Sequence, residues 1–330
     1  MSGFKYRKLE TVLHDCFLGN KFIYQSLFDL ERALHCDQSA SIDLANQKHI
    51  FIFGLPRAGT TAMTYFLHGT GEFASLTYRD MPFLCAPNIF RLITDRSNST
   101  KLKRYHQDGI EIDLDTPEAF DEFFFMSLSE CNSDTSYRDF IYLVTKKYRR
   151  SRYLSKNNAL INQDARLRTI NEILPMSRFV LLFRSPLNQA HSLYSQNLRF
   201  EKLHAESLFS ERYMRYLGHF DFGNLHKPWR EPISFKSKNS PNYWLEQWIL
   251  AYEAVLASRW HCENCLLVCY EDLANLEIQA KLLRHLQINR RPTTEFVIST
   301  RSQVSEFNPA LSSRAMQVYN GLIEFSNNWR

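Results

Sequence analysis

Residues Gly54 to Thr61 read Gly-Leu-Pro-Arg-Ala-Gly-Thr-Thr, between the apolar run His49–Phe53 and an apolar stretch of helical character. A buried strand, a turn with two glycines and a helix starting at Thr60 or Thr61 make an anion cradle. Glycine adopts backbone conformations that a Cβ penalises. The first N–H groups of a helix have no partner within it, and its dipole adds positive potential there. Phosphate or sulfate is the natural guest of the loop Pro56-Arg57-Ala58-Gly59-Thr60-Thr61. A loop built for ATP or GTP places Lys directly after the second Gly. Here Thr60 takes that position, and the cation, Arg57, stands two residues before Gly59.

The elements that must position this loop are strand-length apolar runs at 49–53, 73–78, 178–183 and 265–270. Continuous apolar runs suit parallel strands buried on both faces. Such strands carry ligands at their carboxyl ends. After Phe183 the chain reads Arg184-Ser185-Pro186 and then the helical-looking segment Leu187–Leu198, with Pro186 suited to a first helical turn. Trp244–Tyr252 has apolar groups at three- and four-residue spacing and reads as an amphipathic core helix. Near the start, Leu9, Leu13 and Phe17 share one helical face, and Leu27, Leu30 and Leu34 share another. A helix is also expected from Thr116-Pro117-Glu118 through Phe125. Gly218, Gly223, Pro228, Pro232 and Pro241 mark a long loop over 218–242, read as a mobile lid.

Pro-Arg-Ala-Gly-Thr-Thr resembles the 5′-phosphosulfate loop of sulfotransferases that use 3′-phosphoadenosine 5′-phosphosulfate (PAPS). Arg184 at a strand end, with Ser192 eight residues on, resembles their 3′-phosphate site. Tyr270-Glu271-Asp272-Leu273 is similar to a strand-end segment in which the Tyr lies near the adenine. These matches fall mainly in 49–82 and 178–273, and the resemblance is to the P-loop-like sulfotransferase superfamily of the soluble, bacterial type. It implies an α/β three-layer sandwich around a mostly parallel sheet. The expected arrangement is a single domain over 1–330, with a helical segment at 1–48 and a helical insertion at 95–175 forming the acceptor cleft. PAPS would be the donor and PAP the product, without a metal.

The chemistry implied is in-line sulfuryl transfer to a hydroxyl or amine, in which positioning and electrostatics dominate, as in phosphoryl transfer. Arg57 would stabilise charge on the leaving PAP. Arg184, Ser192 and Tyr270 would complete the nucleotide site. A hydroxyl acceptor needs a base within reach. The resemblance points to Asp80, 24 residues after Pro56 at the end of the expected second strand. Glu118 and Glu122, one helical turn apart, are the next candidates, followed by His68 and His106. The acceptor expected by analogy is a carbohydrate or glycolipid. A P-loop kinase or NTPase and a non-catalytic nucleotide-binding protein are the alternatives.

At 330 residues the chain buries roughly three quarters of its unfolded surface without needing staples. Its net charge of +5 suits anionic ligands but lacks the bias of a nucleic-acid binder. Lys146-Lys147-Tyr148-Arg149-Arg150-Ser151-Arg152 is the densest basic cluster. It reads as a solvated helix face, or else as a contact for a polyanionic acceptor or a membrane surface. No apolar run approaches the roughly 20 residues of a spanning helix, and Met1–Lys8 lacks the core of a signal peptide; the cytoplasm is the expected compartment. Of the seven cysteines, Cys262, Cys265 and Cys269 cluster. No spaced His or second pair completes a zinc set, so they read as structural thiols.

Overall fold

The computed structural model describes residues 8–95, 102–103, 111–128, 135–258, 264–296 and 306–329. Its strands are β1 (Ile50–Phe53), β2 (Phe73–Ala74), the two-residue pair β3 (Leu102–Lys103) and β4 (Glu111–Ile112), β5 (Arg152–Lys156), β6 (Arg178–Phe183) and β7 (Cys265–Cys269). Helices α1 (Lys8–Phe17), α2 (Lys21–His35) and α3 (Gln38–Leu44) come before β1, and α4 (Thr60–His68) follows it. Between β2 and β5 lie α5 (Arg91–Thr94), α6 (Asp121–Ser127) and α7 (Thr135–Tyr148); α8 (Asp164–Ile173) leads into β6. The chain continues through α9 (Pro186–Glu206), α10 (Leu208–Tyr216) and α11 (Pro241–Ala257) to β7, then α12 (Leu276–His285) and α13 (Pro309–Ser326).

The central sheet has the order β2-β5-β1-β6-β7, and every pairing in it is parallel. Alternation along each strand sorts side chains onto two faces. Phe51, Phe53, Phe179, Leu181 and Phe183 enter the larger core, shared with α7, α9, α11 and α13. Ile50, Ile52, Val180 and Leu182 enter the smaller one, with Met63 and Leu67 of α4 and Leu282 of α12. This gives three layers, helix–sheet–helix. Across the β1/β6 register, Phe51 stacks on Phe179 with ring centroids 5.4 Å apart. The chain leaves β1 toward β2 on one side, and leaves β6 toward β7 on the other. The crevice at the carboxyl ends of β1 and β6 is therefore the topological switch point, where open α/β sheets bind ligands.

Several sequence expectations change here. The stretch 95–175 is not a wholly helical insertion, because Arg152–Lys156 enters the sheet between β2 and β1. The basic cluster had masked this short strand. Lys147 within that cluster is buried against Asp80, whereas Lys146, Arg149 and Arg150 are exposed. The second strand is only Phe73–Ala74. Helix α2 is rotated from the expected face: Tyr24, Phe28 and Glu31 are buried, while Leu30 and Leu34 are exposed. Glu31 is inside because it accepts from the Asn88 and Ile89 amides and the Asn88 side chain, and a buried carboxylate requires such donors. Helix α11 is buried nearly all round rather than amphipathic, with Trp244, Leu245, Trp248, Ile249 and Tyr252 in the core.

The loop expected to be a mobile lid is strapped to α11. Buried Glu246 accepts from the amides of Ile233, Ser234 and Phe235 at 2.9–3.1 Å. Gln247 accepts from the Trp229 and Arg230 amides and donates to the Arg230 carbonyl. Charge-assisted bonds from consecutive amides hold backbone firmly.

Candidate active site

The loop after β1 turns on two glycines with positive φ, Gly54 (+148°) and Gly59 (+95°), and Arg57 between them is also left-handed at +69°. A Cβ at Gly54 would strike the Leu182 carbonyl, and one at Gly59 would strike the ring of Tyr270. Gly59 is also the N-cap of α4 and offers no side chain to the first N–H groups of that helix. With no capping side chain at Gly59, the positive end of α4 faces the turn.

Two helices brace it. Gln189 of α9 donates to the carbonyls of Leu55 (3.3 Å) and Pro56 (2.9 Å), and its own carbonyl accepts from Trp248 Nε1 at 2.9 Å. The Tyr252 hydroxyl donates to the Leu182 carbonyl at 2.9 Å and accepts from the Leu55 amide at 3.4 Å. Burial of these groups with their partners fixes the loop more firmly than solvent-exposed bonds could.

The two expected anion-binding segments meet here. Arg57 Nε donates to Ser192 Oγ at 2.9 Å. Arg184, at the end of β6, places its guanidinium 4.8 Å from the ring centroid of Tyr270, the same ring that lies on Gly59. Arg184 is buried, and its Nε has no hydrogen-bond partner among the described residues. The nearest carboxylate, Glu271, stands 3.9 Å from it and spends one oxygen on the Ser185 amide. An orphaned buried guanidinium N–H beside an open glycine cradle fits a ligand with two anionic groups.

The carboxylates sort differently from expectation. Asp80 is fully buried with Lys147 Nζ at 2.6 Å from Oδ1, and the Thr77 amide and Tyr148 hydroxyl each at 2.7 Å from Oδ2. Held at 2.6–2.7 Å on both oxygens and 0% exposed, it suits a structural role better than the base role expected of it. It instead closes the capping box of the turn Tyr78–Asp80 and so sets the position of Tyr78. Glu118 and Glu122 do not share a helix face, since α6 begins only at Asp121 and Glu118 lies in the extended approach to it. They converge instead on consecutive residues at the end of β5. Glu118 accepts from Lys156 Nζ and from the Ala119 amide (2.9 Å) through Oε1, and from the Tyr78 hydroxyl through Oε2 at a looser 3.2 Å. Glu122 accepts from Asn157 Nδ2 at 3.0 Å and from Arg166 at 2.7 Å.

His68 closes the far end of α4, about 12 Å along the axis from the cradle. Its imidazole is pushed below its ordinary pKa by burial and by the Arg150 charge. His106 and Cys262 lie outside the described residues. Cys265 is half-buried, and Cys269 is buried, its thiol pushed up to about 12 by desolvation. Among the described residues, no group of three or more His, Cys, Asp or Glu side chains could hold a metal.

Lys156, Tyr78 and Gln189 went unread in the sequence. Tyr153-Leu154-Ser155-Lys156 does carry a signal, a short apolar run ending in a cation as Phe183-Arg184 does. Gln189 had none, because a polar residue on a helix declares its partners only once the loop is folded against it.

The Sulfotransferase family matches residues 49–290. Among solved structures, the sulfotransferase STF1 from Mycobacterium tuberculosis is 14% identical over 97% of this chain and 84% of that one, with a TM-score of 0.48. A sulfotransferase from Alicyclobacillus acidocaldarius is 14% identical over 86% and 99%, at 0.42. STF9 from Mycobacterium avium is 13% identical over 98% and 83%, at 0.43. No curated protein matches the sequence. Among the described residues, no helix is long and apolar enough to cross a membrane.

Proposed function

The chain belongs to the sulfotransferase family, and we propose that it transfers a sulfuryl group from PAPS to a hydroxyl of a carbohydrate or glycolipid. The observation carrying the donor assignment is the pairing of a Gly-rich cradle with the orphaned Arg184 Nε, joined through Tyr270. Two anionic ends on one nucleotide account for both.

When bound, PAPS supplies a sulfuryl group whose leaving group is the 5′-phosphate of PAP. Arg57 and the amides of Gly59, Thr60 and Thr61 bind that 5′ end and stabilise the charge gathering there. Arg184 and Ser192 bind the 3′-phosphate, Arg184 as a planar, permanently charged donor. Lys156, at the carboxyl end of β5 beside β1, would supply a second cation to balance charge on the transferred group. Glu118 takes the proton of the acceptor hydroxyl, and Tyr78 and Lys156 keep its carboxylate oriented. Asp80 contributes indirectly, by fixing the turn that carries Tyr78.

Calorimetric titration with PAP, 5′-AMP and Mg-ATP, on the wild type and on Arg184→Ala, tests the reading. PAP should bind at least about a hundredfold more tightly than 5′-AMP, the size expected for a desolvated, charge-assisted phosphate contact. Arg184→Ala should erase that preference. A preference for Mg-ATP, or indifference to the 3′-phosphate, would support a kinase or NTPase instead.

A further inference from the structure

Gln196 of α9 is 1% exposed, and neither its amide oxygen nor its amide nitrogen has a hydrogen-bond partner among the described residues. Native folds rarely leave a buried amide so, because each unmet group costs its desolvation. Its location gives the reason. Residues three, four and seven apart share a helix face, so Gln196 lies on the face that carries Gln189 and Ser192. Both of those side chains are bonded to the anion loop, Gln189 to the Leu55 and Pro56 carbonyls and Ser192 to Arg57.

One turn further along, Phe200 packs on Phe222 with centroids 5.7 Å apart, and adjacent Asn197 accepts from the Gly223 amide at 2.9 Å. Gln196 therefore sits between the anion loop and the 221–223 turn. That turn belongs to the same side of the molecule as Glu118 and Lys156. His219 bonds to the carbonyl of Ala119 at 2.8 Å, and Asp221 is near enough to feel the Lys156 charge against the upward push of burial.

We infer that Gln196 binds the acceptor, its amide reading a second hydroxyl beside the one that is sulfated, so that the acceptor is polyhydroxylated. A primary amide both donates and accepts, and a hydroxyl answers both atoms at once. A phenol or simple alcohol has a single hydroxyl, which the transfer consumes. This rests on the sulfotransferase reading above, and adds the residue by which the acceptor would be recognised.

Gln196→Leu removes both amide atoms at nearly constant volume. Three measurements apply to it and to the wild type: PAP affinity by calorimetry, the melting temperature, and saturation-transfer NMR on PAP-loaded protein. The NMR probes are methyl glucoside, methyl galactoside and myo-inositol, against cyclohexanol and phenol. The expected result is that a polyol binds the wild type and loses about tenfold or more in the variant, the size of one desolvated hydrogen bond. PAP affinity should hold within about twofold, and the melting temperature should stay level or rise, since an unmet polar group has gone. The inference is overturned if no polyol binds, if polyol binding survives the substitution, if PAP affinity falls with it, or if the melting temperature drops. Failure of the wild type to bind PAP at all would sink the nucleotide reading itself. PAP binding with polyols indifferent to Gln196 would sink this inference alone.

Discussion

Arg57 Nε and Ser192 Oγ are 2.9 Å apart, so the cation of the loop and the hydroxyl of α9 form one unit rather than two remote sites. Residues in direct contact should not contribute additively. Arg57→Ala is expected to lower kcat/KM by about 10²–10³, the cost of removing one preorganised donor from a developing oxyanion. Ser192→Ala should weaken PAP binding about tenfold. The double variant should lose less than the sum of the two, and a double-mutant cycle in PAP affinity measures this. Strict additivity would mean that the contact has no energetic role.

Glu118 and Asp80 each neutralise a buried lysine and differ in what they predict for kcat. Glu118→Gln keeps shape and hydrogen bonding but removes the proton acceptor. Its kcat should fall by about 10²–10⁴ with PAP affinity little changed, and the melting temperature should fall as well, because the buried Lys156 ammonium loses its counter-charge. Asp80→Asn leaves the Lys147 ammonium buried without its counter-charge, an arrangement that costs about 3–5 kcal/mol. Here the melting temperature should drop by roughly 5–10 °C, while kcat measured well below melting stays within about tenfold. The reverse pattern in kcat would return the base role to Asp80.

The parts legible in the sequence were those whose physics is local. A strand, two glycines and a helix start announce an anion cradle, and the Phe183-Arg184 junction announces a second cation at a strand end. Asp80 misled because a carboxylate at a strand end looks the same whether it faces a cleft or a buried lysine. That choice was made by Lys147 and Tyr148, 67 and 68 residues downstream. Glu118 and Glu122 were picked out for a helical relationship that does not exist. They approach one another's neighbourhood only through Lys156 and Asn157, on a strand too short and too close to a basic run to stand out. The 218–242 loop carries the glycines and prolines of a mobile segment, yet two α11 side chains pin it. Long-range pairing of this kind has no periodicity to read.

Gly59 tests the contact between cradle and nucleotide site. Its φ of +95° disfavours any side chain, and a Cβ would run into the Tyr270 ring. Gly59→Ala should cost about 1–3 kcal/mol in stability and weaken PAP binding at least about tenfold. Adding Tyr270→Ala removes the clash but not the backbone strain, so it should restore only part of the loss. Full recovery in a melting curve would show that the ring alone demands glycine here.

Two histidines whose ring nitrogens are both engaged inside the fold contribute strongly to the response to acid. The amide of Tyr153 donates to His49 Nδ1 at 3.0 Å, so that nitrogen carries no proton, and Nε2 donates to the Leu44 carbonyl at 2.9 Å. His226 Nδ1 faces the Asp221 carbonyl at 2.7 Å, and its Nε2 lies 2.6 Å from the Tyr243 hydroxyl, which makes it the acceptor. Burial pushes both imidazoles down to about 4, against about 6.5 in the unfolded chain. Between those values the unfolded chain binds more protons than the native one, so stability rises with pH across that window. The contribution is complete above about pH 6.5 and is lost as pH falls through 4, on the order of 3 kcal/mol for each ring. Melting temperature should therefore fall steeply from pH 7 to pH 4.5. His49→Gln, though less stable at neutral pH, should show a shallower slope, and an unchanged slope would mean that ring is not among the groups that titrate.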